Sequence, residues 1–363
     1  MIRLNLELTD VEMKMSPVAL RLLPADDNDA APTASDARYE VVGDEVLARA
    51  SCGQFRFRVA DEKTFDGDVL LVFPEERRAT RLIRAQANSN TILLTEECDQ
   101  VCVMCSQPPR NRRYAFFDLY ADACKLAPPE SVIGISGGEP TLLKSPLIEM
   151  MRGVIQERPD LRFHVLTNAQ HFEPDDQADL SALADHVLWG VPLYSGSPEI
   201  HDAIVGKPGA YEKLIENLLI LRKATAQVEL RTVLLSQNLD SLPGLAEFIS
   251  THLRWVSYWA IMQIEHFGYA RLNWDNIFVD TSVRSGQLSA CLDICRARAT
   301  EVALYNFPLC TVPAQYRSLA HASISDWKQR YLDVCAECSA RDACGGFFEW
   351  YPEKKGYRGI RPI

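Results

Sequence analysis

The chain has no apolar run approaching the ~20 residues that a membrane-spanning helix needs, which excludes a helical membrane protein on hydropathy. Its first residues, Met1-Ile2-Arg3-Leu4-Asn5-Leu6-Glu7-Leu8, alternate like a strand and lack a signal-peptide layout, so the cytoplasm is the expected location. There is no Walker glycine loop and no Gly-x-Ser-x-Gly elbow, which removes the two commonest signatures of nucleotide hydrolysis and serine catalysis. None of the seven histidines forms a metal-spaced pair; His164, His186 and His201 are expected to cap, pack or face solvent. Basic charge is short as well: the formal net charge is −11. That argues against a nonspecific nucleic-acid binder, while leaving room for a small tRNA-binding patch. Internal repeats and low-complexity tracts are missing. Hydrophobic content of 47% and charged content of 24% are those of a soluble globular protein.

Cysteine is present in an informative pattern. Eleven are too few for a secreted disulfide scaffold of 363 residues, and they cluster, which in a reducing compartment points to metal or cluster ligation. Cys98, Cys102 and Cys105 stand in Cys-x3-Cys-x2-Cys spacing directly after a short apolar run that reads as a strand. Three thiolates in eight residues can wrap one iron–sulfur cluster. A four-iron cube has four corners, so three ligands leave one iron open to a small molecule. Zinc is the competing reading, but a structural zinc takes four ligands and no fourth is nearby. A second group near the C-terminus, Cys335, Cys338 and Cys344 in Cys-x2-Cys-x5-Cys spacing with Cys310 upstream, supplies four thiolates. These suffice for a closed cluster or for a structural zinc. Cys291 and Cys295 fall one helical turn apart and are expected to pack; Cys52 and Cys124 are isolated and structural.

The chain divides into three by pattern. Residues 1–90 read as a small mostly-β domain, with strands at 18–23, 45–50, 55–59 and 68–73 and a mobile loop over Ala25–Asp36. From 91 to 280 strand and helix alternate. Strands are expected at 91–95, 132–136, 162–167, 187–194, 228–235 and 255–264, with helices such as 147–155 and 211–223 between them. Six β/α units make an α/β partial barrel, open on one side. Residues 281–363 are irregular, rich in cysteine and aromatics, and end in a basic stretch from Lys354 to Arg361 expected to be solvated and mobile.

Ile133-Gly134-Ile135-Ser136-Gly137-Gly138-Glu139-Pro140-Thr141 reads as the second strand of this barrel running into a glycine turn with a carboxylate. It lies one crossover after the cysteine loop, so both motifs follow successive strands and meet at the sheet edge where parallel α/β folds bind ligands. With these two motifs the sequence resembles the radical S-adenosylmethionine (SAM) superfamily, whose core is a partial (β/α)6 barrel. The resemblance implies a 4Fe–4S cluster on Cys98, Cys102 and Cys105, with SAM chelated by its open iron. It implies that Gly137, Gly138 and Glu139 receive the methionine amino group. The residue before the third cysteine is aromatic in many members and packs near the adenine; here the polarizable Met104 takes that place. Looser matches at strand ends suggest Asn168, Ser195 and Arg231 as SAM contacts. The alternatives are loop capping for Asn168 and Ser195 and a structural ion pair for Arg231. The C-terminal cysteines resemble the shortened "twitch" form of the SPASM auxiliary-cluster domain, which implies a second 4Fe–4S cluster on Cys310, Cys335, Cys338 and Cys344.

Within the superfamily the sequence is most similar to the radical SAM maturases of the His-Xaa-Ser system, the HxsC type. The similarity rests on Leu94-Thr95-Glu96 leading into Cys98, on Cys102 to Pro109, on Gly268-Tyr269-Ala270-Arg271 with Asn273-Trp274-Asp275, and on Ser323 to Lys328. It implies an oxidoreductase-type enzyme that cleaves SAM to a 5′-deoxyadenosyl radical and modifies a ribosomally made precursor peptide with His-Xaa-Ser repeats. Implied partners are a second radical SAM maturase, a small accessory protein and an external electron donor. The competing functions are a radical SAM enzyme acting on a nucleoside, tRNA or small metabolite, and a non-catalytic iron–sulfur carrier or scaffold.

Overall fold

The computed structural model describes residues 5–14, 16–26, 33–58, 65–87 and 89–363. Two compact units divide it: residues within 1–94, 114–136 and 143–164 form one, and residues 95–113, 137–142 and 165–363 form the other.

The first unit is built on seven strands: β1 (Asn5–Met13), β2 (Val18–Pro24), β3 (Asp36–Val42), β4 (Glu45–Ala50), β5 (Gly53–Arg58), β6 (Val69–Phe73) and β7 (Arg78–Ile83). They pair in the order β1-β5-β4-β3-β2-β6-β7, and β1 also pairs with β7, which closes a barrel. Alternation along the strands puts one side chain in two inside. Leu6, Leu8, Leu20, Leu22, Val46, Ala48, Phe55, Phe57 and Leu70 fill the interior. Phe57 meets Phe65 edge to face at 5.4 Å. The mostly-β expectation thus becomes a closed barrel, and closure leaves no unpaired edge for aggregation. Of the expected mobile loop, residues 27–32 lie outside the described residues, as do the start of the first strand at 1–4 and Val59. Its end is pinned: the amide and hydroxyl of Thr33 donate to Asp36 at 2.7 and 2.8 Å, and Arg21 Nε donates to the same carboxylate at 2.9 Å.

The α/β part runs through β8 (Asn90–Thr95), α1 (Phe117–Lys125), β9 (Val132–Gly137), α2 (Lys144–Glu157), β10 (Arg162–Leu166), α3 (Gln177–Ala182) and β11 (Val187–Pro192). It continues with α4 (Pro198–Val205), α5 (Ala210–Lys223), β12 (Gln227–Val233), α6 (Ser236–Leu239), α7 (Leu242–His252), β13 (Tyr258–Met262), α8 (Gly268–Ile277), α9 (Gly286–Ala297), β14 (Val302–Tyr305) and β15 (Ala320–His321). The six expected strands are present, and the sheet has eight, in sequence order from β8 to β15. The pairs from β11 to β15 are parallel. The strands beyond residue 281 were not expected, because four and two residues are too few to show a period. Helices lie where apolar residues recur on one face; α5 buries Leu214, Leu218 and Leu221. Two short strands, β16 (Gln329–Arg330) and β17 (Phe347–Phe348), pair antiparallel near the C-terminus.

The basic C-terminal stretch is docked, contrary to expectation. Trp274 Nε1 donates to the Lys355 carbonyl at 2.8 Å. Tyr357 is buried, the Arg358 amide donates to Asp280 at 2.9 Å, and the Gly359 amide donates to the Ser282 hydroxyl at 2.9 Å. Aromatic burial and backbone bonding outweigh the solvation of four basic side chains, which point their heads outward while the backbone stays fixed.

Candidate functional site

Residues 95–113 form a loop on a paired stem. The Glu96 amide donates to the Arg112 carbonyl, and the Arg110 amide to the Glu96 carbonyl, both at 2.8 Å; Thr95 bridges Arg113 antiparallel. Between the stem strands hang Cys98, Cys102 and Cys105. The loop is stitched down by the Val101 and Val103 amides, which donate to the Val205 and Ile204 carbonyls at the end of α4 at 3.0 and 2.9 Å. On its other flank Tyr269 N, in the first turn of α8, donates to the Cys105 carbonyl at 2.8 Å, and Asn273 Nδ2 donates to the Val103 carbonyl at 2.8 Å.

Helix α4 reaches the loop because its ends are well specified. Ser197 caps it, Pro198 starts it, and Gly206 ends it at φ 67°. A Cβ on Gly206 would also press on the Val101 side chain and carbonyl.

Gly137 and Gly138 bring the second motif against the stem. The Gly138 amide donates to the Thr95 carbonyl and the Glu139 amide to the Glu97 carbonyl, each at 2.7 Å. A Cβ on Gly137 would strike the Thr95 carbonyl, and one on Gly138 the Glu97 carbonyl. Only glycine allows this approach. Glu139 is fully buried. Its carboxylate accepts from Thr141 N and Oγ1 at 2.8 and 2.5 Å, from Thr167 Oγ1 at 2.6 Å and from Asn168 N at 2.5 Å. Three of these donors converge on Oε1 and one reaches Oε2. Glu139 therefore ties the end of β9 to the end of β10.

Sequence reasoning passed over Asp99, the residue after the first cysteine. It accepts from Asn168 Nδ2 at 2.7 Å and Lys207 Nζ at 2.5 Å, and His171 Nε2 lies 3.4 Å away. Burial would raise its pKa, but the hydrogen bonds from His171, Lys207 and Asn168 outweigh burial and hold it well below the usual carboxylate range. Its position between two cluster-spaced cysteines was the one local signal available.

The other expected contacts are placed as follows. Asn168 sits at the end of β10, its amide group committed to Asp99 and its Oδ1 accepting from Gln170 N at 3.1 Å. Ser195 is fully buried after β11; its hydroxyl accepts from Ser197 N at 3.1 Å and lies 3.3 Å from the Ser241 hydroxyl. Arg231, on β12, pairs with buried Glu229 at 2.9 Å and reaches Met262 Sδ at 3.1 Å. Met104 is 7% exposed and belongs to an apolar cluster with Tyr194, Ile204 and Trp274. Its contacts are those of a loop anchor. Cys291 and Cys295 are buried in α9.

The donor set fits an iron–sulfur group. Cys98, Cys102 and Cys105 are half-buried, and Cys102 feels the charge of the other two. Burial pushes the Cys98 and Cys102 thiols up to about 12. Left alone, such thiols stay protonated at neutral pH; a positive metal centre compensates the buried charge and holds them as thiolates. At the second site Cys310, Cys335, Cys338 and Cys344 border one pocket, walled by Leu309, Tyr331 and Phe347 among others. Backbone amides aim at the sulfurs: Leu309 N and Gly346 N at Cys344 Sγ, and Ile363 N at Cys338 Sγ, each at 3.4 Å. Among the described residues, no three or more His, Cys, Asp or Glu side chains close round a single metal ion.

Residues 92–249 match the family model of the radical SAM superfamily. The span runs from β8 to α7 and takes in the three-cysteine loop and the Gly-Gly-Glu turn. Among solved structures, Streptococcus suis SuiB bound to S-adenosylmethionine is similar at 15% identity and a TM-score of 0.48. That match covers 59% of this chain and 49% of SuiB, so the chain spans about half of SuiB's length. The enzyme anSMEcpe, with bound AdoMet and a Cp18Cys peptide, matches at 12% identity and a TM-score of 0.47, over 58% of this chain and 62% of that one. A radical SAM methyltransferase from Sphaerobacter thermophilus matches at 15% identity and a TM-score of 0.45, over 74% of this chain and 75% of its own. No helix among the described residues is long and apolar enough to cross a membrane.

Proposed function

We propose that this chain is a radical SAM enzyme that modifies a ribosomally synthesised peptide by hydrogen abstraction. The observation that carries the reading is the stem-held loop presenting Cys98, Cys102 and Cys105 beside the Gly137–Gly138 approach, inside the span that matches the radical SAM model. The three cysteines hold the cluster. Bound there, it supplies one electron to SAM, which yields methionine and a 5′-deoxyadenosyl radical able to take a hydrogen atom from an unactivated carbon.

The chain's own residues do the positioning. Glu139 fixes the relation of the β9 and β10 ends, and the Gly137–Gly138–Glu139 segment would receive the methionine ammonium. Asp99 and Asn168 fix the first cysteine's side of the loop. Arg231 on β12 and Ser195 just after β11 are the polar groups we assign to the ribose and carboxylate of SAM. Arg231 does so with its charge already balanced by Glu229. Met104, packed with Tyr194 and Trp274, anchors the loop and would lie near the adenine if SAM binds as in the family.

The HxsC-type assignment, with a His-Xaa-Ser precursor, a second maturase and a small accessory protein as partners, rests on the sequence motifs. The geometry supports it at one point. The Gly268–Arg271 and Asn273–Asp275 motifs are the residues of α8 that clamp the cysteine loop. At the second site, a cavity bordered by four sulfurs and fed by amide donors favours an auxiliary 4Fe–4S cluster over zinc. The test is peptide mass spectrometry after anaerobic incubation with SAM, reductant and a synthetic His-Xaa-Ser repeat peptide. A mass change that needs SAM supports the reading. SAM cleavage with the peptide unaltered, alone and with the partner proteins added, would remove the peptide assignment and leave the core.

A further inference from the structure

We propose that Phe278, directly after α8, is a positioning residue that links the two cysteine sites, so that a metal group on the second site steadies the loop of the first. The inference rests on the reading above, in which Cys98, Cys102 and Cys105 hold one group and Cys310, Cys335, Cys338 and Cys344 another.

Two apolar clusters meet at Phe278. One is built on residues that include Met104, Tyr194 and Trp274, with Cys102 and Val103 packed against it. The other is built on Phe347, Tyr351 and Tyr357, with Cys335 and Ile360 packed against it. Phe278 packs against both. Its ring is stacked on Trp274, centroids 4.4 Å apart, and meets Tyr357 at 5.3 Å and a steep angle. One cysteine of each site therefore stands against a cluster that Phe278 shares.

Polar bonds follow the same line. Helix α8 holds the loop through Tyr269 N and Asn273 Nδ2, which donate to the Cys105 and Val103 carbonyls. Trp274 Nε1 donates to the Lys355 carbonyl at 2.8 Å. Segment 355–363 is then fixed at Asp280 and Ser282, just after α8. Its residues Ile360, Arg361 and Ile363 border the four-cysteine pocket. There Ile363 N points to Cys338 Sγ at 3.4 Å, and the Ile363 carbonyl accepts from Ser339 N at 3.0 Å. The Cys98 end of the loop is held separately, by Asp99 to Asn168 and Lys207.

A metal group that draws the four sulfurs together fixes residues 335–344, and with them segment 355–363. Without it that segment opens locally. Trp274 then loses its acceptor and Phe278 loses the Tyr357 ring. Close-packed side chains pass such a change on, because they switch between discrete arrangements instead of deforming gradually. The three-cysteine loop opens more often as a result. Linkage of this kind is reciprocal, and couplings between sites run to about 5- to 150-fold.

The test is amide hydrogen exchange, read by mass spectrometry on the full chain after anaerobic reconstitution with iron and sulfide. It compares wild type, Cys335→Ser/Cys338→Ser, Phe278→Leu and the combination of the two. Disabling the second site should speed exchange over residues 98–105 at least about fivefold in the wild-type background. In the Phe278→Leu background the same change should leave that rate nearly unaltered. By reciprocity, Cys98→Ala/Cys102→Ala/Cys105→Ala should speed exchange over residues 355–363. The β1–β7 barrel should exchange alike in every protein. Equal exchange over 98–105 with and without the second site would overturn the proposal. So would a ratio that Phe278→Leu leaves intact, which would make Phe278 ordinary core packing. So would faster exchange everywhere, the β1–β7 barrel included, which would mean global destabilisation. If Cys335→Ser/Cys338→Ser does not fold, Ser282→Ala decides the matter, since it removes the acceptor of the Gly359 amide and touches no cysteine. It should speed exchange over 98–105 and spare the barrel; an unmoved loop overturns the linkage. Failure of the functional reading shows separately, as no iron bound by the wild type or no 5′-deoxyadenosine from SAM. The Ser282→Ala comparison needs no metal and still decides whether the segment holds the loop.

Discussion

Replacing Asp99 by alanine should loosen the first cysteine without touching any ligand. Two charge-assisted hydrogen bonds are lost, from Asn168 at 2.7 Å and from Lys207 at 2.5 Å. Such bonds contribute about 1.5–3 kcal/mol each. The Lys207 side chain is 35% exposed and that of Asp99 23%, so solvent screening puts the pair at the low end. The sum is about 3 kcal/mol. If opening of the loop gates iron release, that cost accelerates release by about 150-fold. Asp99→Asn keeps an acceptor and loses the charge; about half the energy, and so roughly tenfold, is expected. The assay is anaerobic iron release to a chromogenic chelator. Iron at the auxiliary cluster proposed for Cys310, Cys335, Cys338 and Cys344 would serve as the internal control, because the substitution touches none of these residues. An unchanged rate in Asp99→Ala, or equal acceleration of both populations, would refute the tether.

Gly206→Ala places a side chain at φ 67° and against Val101; a loss of about 1–2 kcal/mol in stability is expected, with lower iron retention at the core, measured by thermal unfolding and iron assay. His201 accepts a hydrogen bond from Tyr194 N at 3.3 Å, and burial lowers its pKa to about 4, so it is neutral when folded. An unfolded histidine titrates near ~6.5, so the unfolded chain binds the extra proton between pH 6.5 and 4. The stability held by neutral His201 is therefore full above pH 6.5 and is lost as pH falls toward 4. His201→Leu should flatten that slope in urea denaturation, and an unaltered slope would contradict the assignment. Cys291→Ala with Cys295→Ala should leave iron content unchanged, since both thiols are core packing in α9; a drop in iron would make them ligands.

What the sequence disclosed about the site was local. Three cysteines in eight residues and a Gly-Gly-Glu turn one crossover later are both short-range patterns, and ligand spacing and backbone approach are short-range demands. The six longer strands were legible for the same reason, with β14 and β15 too brief to carry a period. The Asp99 tether was not legible, because its partners Asn168 and Lys207 stand 69 and 108 residues away. The docked tail was misread because Lys354, Lys355, Arg358 and Arg361 dominate its composition, whereas Tyr357 and a handful of backbone bonds decide its placement. Met104 was assigned by position in a motif, and only packing against Tyr194 and Trp274 shows where its side chain is spent.

The central claim is a SAM-cleaving cluster on Cys98, Cys102 and Cys105. Its most direct test is iron, acid-labile sulfide and 5′-deoxyadenosine formation after anaerobic reconstitution, in wild type and in Cys98→Ala/Cys102→Ala/Cys105→Ala. The account predicts about eight irons falling to about four, with 5′-deoxyadenosine formed from SAM by the wild type alone. No iron in either protein, or 5′-deoxyadenosine formed equally by both, would contradict it.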